Sequence, residues 1–130
     1  MKYLRQYIEE SQTKAFNDAG AFFAFSQDQF NEQAKPGIKY AALGAGLICP
    51  VKNVETLNAA LDESYQAGIK QDLAENGAKA IIQRELSNHE SQLSGPEMAF
   101  RALDGYGFSV EELQTGWREY LVYCRENDLY

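Results

Sequence analysis

The stretch Gly20 to Pro50, GAFFAFSQDQFNEQAKPGIKYAALGAGLICP, decides how the chain is read. It groups Phe22, Phe23, Phe25 and Phe30, then passes through Pro36-Gly37 into a small-residue run with Gly44 and Gly46. Phe22 to Phe25 reads as a short strand. Ser26 stands where a helix cap belongs and Gln29 follows three residues later as its capping-box partner, so Gln27 to Ala34 reads as a helix. Ile38 to Leu43 and Leu47 to Cys49 read as two strands joined by Gly44-Ala45-Gly46, a spacing that suits a hairpin. A two-stranded ribbon alone is marginally stable, so it must lie against helices, and Phe22 to Phe25 is available as a third strand.

Outward from this stretch, both flanks are helical. Tyr3, Leu4, Tyr7, Ile8 and Phe16 share one helical face, and Asn17-Asp18-Ala19-Gly20 ends that helix. Downstream, Val54, Leu57, Leu61 and Tyr65 predict a helix that stops near Gly68. Ile69 to Glu75 follows as a short helix closed by Asn76-Gly77. Ala78 to Ser91 reads as an amphipathic helix with Ala78, Ile81, Ile82, Leu86 and His89 on one side. Pro96 suits the first position of a helix over Glu97 to Leu103, and Asp104-Gly105-Tyr106-Gly107 is a turn. Ser109 and Glu112 cap a last helix whose buried face carries Val110, Leu113, Trp117, Leu121 and Cys124. The expectation is one α+β domain over residues 1–130. It is mostly helical, with five to six helices packed on a small two- or three-stranded antiparallel sheet.

The net charge is −7, and it is unevenly spread: residues 1–50 balance five acids against five bases, while residues 51–130 carry fourteen acids and seven bases. An acidic surface repels phosphates, which argues against direct nucleic-acid binding. No apolar run approaches the roughly 18 residues of a membrane span, and MKYLRQYIEESQTK lacks the apolar centre of a signal peptide. A cytoplasmic protein with no membrane contact is expected. The acidic residues Asp62, Glu63, Asp72, Glu75, Glu111 and Glu112 are the candidate partner-binding surface, able to occupy a basic groove on another protein.

Few residues suggest chemistry. His89 is the single histidine and lies four residues after Glu85, close enough on a helix to share a proton. A carboxylate-bridged metal pair needs Glu-x-x-His twice, so no metal is expected. Cys49 and Cys124 fit neither a disulfide scaffold nor a metal spacing and read as free, buried thiols. Gly44-Ala45-Gly46 lacks the third glycine, the lysine and the following helix of a phosphate loop. The phenylalanine cluster is surrounded by Gln27, Asp28, Gln29 and Glu32 rather than by bases, which argues for core packing over base stacking. No catalytic or cofactor-binding residue is expected. A small enzyme would have to be built on Glu85 and His89.

The run GAFFAFS with Gln29-Phe30, the later GAGL with Pro50, and ELSNHE at Glu85 to Glu90 resemble a group of short uncharacterised proteins of bacteriophages and mobile elements. The resemblance implies a non-enzymatic protein that binds a host protein. One such partner class is a nucleic-acid-binding defence effector, which would make the chain an anti-CRISPR-like inhibitor. The alternative is a homodimeric intracellular protein of structural or regulatory role.

Overall fold

A computed structural model describes residues 1–129. Six helices and a three-stranded antiparallel sheet occupy those residues, so the expected mostly helical α+β class is found. The chain forms two compact units, Arg5–Gly68 and Met1–Leu4 with the segment from Ile69 onward.

The unit Arg5–Gly68 contains α1 (Leu4–Ala19), β1 (Phe22–Phe23), α2 (Gln27–Gln33), β2 (Tyr40–Gly44), β3 (Leu47–Pro50) and the start of α3 (Val54–Asn88). The sheet order is β1-β3-β2, with Phe22 opposite Ile48 and Tyr40 opposite Pro50. Side chains alternate along a strand, so Phe22 and Tyr40 share a face. Their rings meet there at 5.5 Å, and both pack on Phe30 of α2. Phe23 points the other way, edge-on to Phe16 of α1, above a core of Ala15, Ala19, Cys49 and Leu57. The hairpin turns at Gly44-Ala45-Gly46, three consecutive residues with positive φ, and the Phe25 ring lies against Gly46. Phe25 stacks on Phe23, yet 74% of it stays exposed.

Ser26 caps α2 as its position requires, its hydroxyl accepting from Gln29 N at 3.2 Å. The return bond is displaced by one residue: Gln29 Oε1 accepts from Phe25 N at 2.7 Å rather than from Ser26.

Helix α3 departs from expectation at Gly68, where it does not stop. A glycine inside a helix costs about 1 kcal/mol relative to alanine, which neighbouring helical residues absorb, and the helix runs on to Asn88 with one non-helical residue, Gly77. Gly77 has φ 77° and ψ 159°, a backbone region open essentially to glycine alone. The break read at Asn76-Gly77 is therefore real. Beyond α3 come an additional single turn, α4 (Ser91–Ser94), then α5 (Glu97–Ala102) and α6 (Val110–Glu126). Pro96 sits just before α5 rather than at its first residue.

Ser109 and Glu112 form the reciprocal capping box at the start of α6, with bonds of 3.0 and 3.1 Å. The face expected for α6 is found in part: Cys124 is buried and Leu113, Trp117 and Leu121 are half-buried. The buried stripe is centred on Gly116, Tyr120 and Cys124, and Val110 is 76% exposed. At about 100° per residue, Val110 lies roughly 80° around the helix from Tyr120. Gly116 lets α6 approach α3 closely: a Cβ there would come 2.5 Å from Ile82 Cγ2. Gln83 Nε2 closes the contact by donating to Gly116 O at 2.9 Å.

Candidate functional site

Asp72 and Arg84 lie on the two segments of α3 either side of Gly77, twelve residues apart. In an uninterrupted helix that separation is a rise of about 18 Å, beyond the reach of their side chains. The turn at Gly77 brings them together. Arg84 Nη1 and Nη2 donate to the two Asp72 oxygens at 2.9 and 3.0 Å, in the bidentate fork that guanidinium and carboxylate favour.

The remaining bonds fill the cluster. Arg84 Nε donates to Glu85 Oε1 at 3.0 Å, Nη1 also reaches Lys2 O at 2.9 Å, and Nη2 reaches Tyr106 Oη at 3.5 Å. All five guanidinium N–H groups thus have partners. Asp72 accepts further from Asn76 Nδ2 at 2.7 Å and from the Tyr106 hydroxyl. The Tyr3 ring covers the Arg84 guanidinium at 5.7 Å.

Asp72 is completely buried, and burial alone would favour its neutral form. Donation from Arg84, Tyr106 and Asn76 outweighs that effect and holds the carboxyl below its ordinary value. Burial works against the Arg84 charge in the same way, and its bonds to Asp72 and Tyr106 overcome it, raising the guanidinium pKa further. Burial, followed by donation to Asp72, raises the Tyr106 phenol. Asp72 was expected on the partner-binding surface. Instead it is consumed internally, because a buried carboxylate cannot stay unpaired next to a guanidinium placed by the Gly77 turn.

The other five acidic candidates, Asp62, Glu63, Glu75, Glu111 and Glu112, are exposed. Asp62 and Glu63 belong to one unit and Glu75, Glu111 and Glu112 to the other. Glu112 also serves as the α6 cap. Glu85 and His89 do meet, at 3.7 Å, but the carboxylate is shared with Arg84. Among the described residues, no three His, Cys, Asp or Glu side chains gather as a metal site. Both cysteines are free and buried, and burial raises the Cys49 thiol, which keeps it protonated and unreactive.

Next to the ionic cluster, the second unit opens a mostly apolar groove of about 830 Å³ along α6 and the last turns of α3. Ala80, Gln83, Arg84 and Ser87 of α3 line it, as do Tyr120, Val122 and Tyr123 of α6 and also Met1. Tyr120 donates to Gln92 Oε1 at 2.6 Å. Its phenol is pushed up to about 12 by burial, with a hydrogen bond to Cys124 adding to the shift, so it stays neutral. Val122 and Tyr123 are 46% and 53% exposed. Val122 lies about 120° around the helix from Gly116, off the buried stripe, while Tyr123 borders the stripe about 20° from Gly116.

Residues 4–122 match a family of unknown function, DUF7659. The chain belongs to that family. The DUF7659 span includes Asp72, Arg84 and Tyr106 and ends within α6 at Val122, one residue short of Tyr123. No curated protein and no solved structure matches the chain.

Proposed function

We propose that the chain is a non-enzymatic protein that acts by binding a partner protein, and that the groove beside Tyr123 receives a segment of that partner. The observation that carries this reading is the half-exposed pair Val122 and Tyr123 on the wall of an 830 Å³ groove. Covering apolar surface gains about 25 cal/mol per Å², and a tyrosine anchored on a helix is a favourable contact residue. Arg84, one of the groove's lining residues, is already ordered because every one of its donors is engaged, so little ordering cost falls on it in binding.

The test is an amide NMR titration with a synthetic leucine- and tryptophan-bearing amphipathic peptide. Shifts are expected along residues 79–87 and 118–123 and should vanish in Tyr123→Asp. No shifts, or shifts centred on Phe25, contradict the reading.

The exposure of Asp62, Glu63, Glu75, Glu111 and Glu112 in a chain of net charge −7 supports a second reading. In it, the partner is a basic, nucleic-acid-binding host effector held by these carboxylates. That version predicts binding that weakens steeply with salt and ignores Tyr123→Asp. A homodimer would fill the groove with a second copy, and sedimentation would then give a dimer that Tyr123→Asp splits.

A further inference from the structure

The charges lining the groove are not equivalent. Arg84 is matched by Asp72, and Lys79 Nζ lies 3.5 Å from Glu119 Oε2. Arg118 donates from Nη2 to Thr115 Oγ1 at 3.2 Å and meets no carboxylate among the described residues. It is exposed on α6, four residues before Val122, so the two share a helical face. Among the charged side chains that line the groove, Arg118 is therefore the one without an oppositely charged partner among the described residues.

We propose that Arg118 selects the occupant of the groove: a partner-protein segment that presents a carboxylate about one helical turn from its apolar anchor. This rests on the binding reading above and names the partner's chemistry. A guanidinium takes a carboxylate through two parallel bonds, a geometry that lysine cannot offer and that a basic segment would forfeit. The chain's net charge of −7 opposes an acidic ligand at long range. Screening over about 8 Å at physiological salt leaves the contact pair to decide. The selected partner is thus opposite in sign to the one that overall composition suggests.

Two fluorescein-labelled peptides of about 12 residues, three helical turns, test the assignment. They share leucine and tryptophan at helical spacing, and one carries glutamate where the other carries lysine. By fluorescence polarisation at about 0.15 M salt, the wild-type chain should prefer the glutamate peptide by roughly fivefold. Arg118→Glu should reverse that preference. Lys70→Glu changes the net charge equally at an exposed position outside the groove, and it should leave the preference intact. Equal binding of both peptides, a preference that survives Arg118→Glu, or a reversal by Lys70→Glu as well would each overturn the assignment while leaving the groove as a binding site. Binding of neither peptide would overturn the groove reading itself.

Discussion

The two units of the chain have different kinds of interior. In Arg5–Gly68 the centre is apolar: Phe22, Phe30 and Tyr40 close one face of the sheet, and Phe16, Phe23, Cys49 and Leu57 fill the other. In the segment from Ile69 onward, Ile81, Ile82 and Leu86 are joined by a fully buried aspartate paired with an arginine that is nearly as buried. Apolar packing is tolerant of swaps that keep its volume and pattern. A buried ion pair is not, because removing one partner leaves a charge with neither water nor counter-ion. The unit that bears the groove is therefore also the one whose integrity depends on protonation.

The largest effect should come from breaking that pair. Asp72→Ala should destabilise the chain by about 3–5 kcal/mol in urea unfolding, since Arg84 is left buried without its carboxylate. Replacing both partners, Asp72→Leu with Arg84→Met, should recover most of that loss. A double variant as unstable as Asp72→Ala would show that Tyr106 and Asn76, not the charge pair, carry the stability.

Gly77→Ala comes next, at about 1–3 kcal/mol, by backbone strain alone. An added Cβ at Gly77 meets nothing within 4 Å, so steric overlap with neighbours cannot account for the cost. Phe25→Ala in the other unit should cost less than about 1 kcal/mol, because the ring is mostly exposed although it lies on Gly46 and Phe23. A larger loss from Phe25→Ala than from Gly77→Ala would invert the comparison.

The contrast also explains which parts of the molecule were legible from residues. The hairpin followed from Gly44-Ala45-Gly46 between two apolar runs, and the α6 box from Ser109 and Glu112, because each of these signals lies within a few residues of its effect. The stop at Asn76-Gly77 was visible for the same reason. The stop expected at Gly68 was wrong because glycine permits a break without requiring one. Asp72 looked like any solvated acid, since its partner lies twelve residues away and becomes a neighbour only through the Gly77 turn. The groove was hidden for a related reason. The face expected for α6 held for Leu113, Trp117, Leu121 and Cys124 but missed Gly116 and Tyr120, whose neighbour Tyr123 borders the groove.

The most direct measurement is residue-resolved amide hydrogen exchange between about pH 6 and about pH 3, read as protection factors. Asp72 is held below the ordinary carboxylate value of about 4. It therefore contributes stability that is complete at neutral pH and is lost as the pH falls toward its folded value. Protection in residues 78–88 and 113–124 should fall first, with residues 8–19 and 47–49 retaining theirs. Protection lost first in the sheet unit, or in both units together, would contradict an ionic interior confined to the unit that bears the groove.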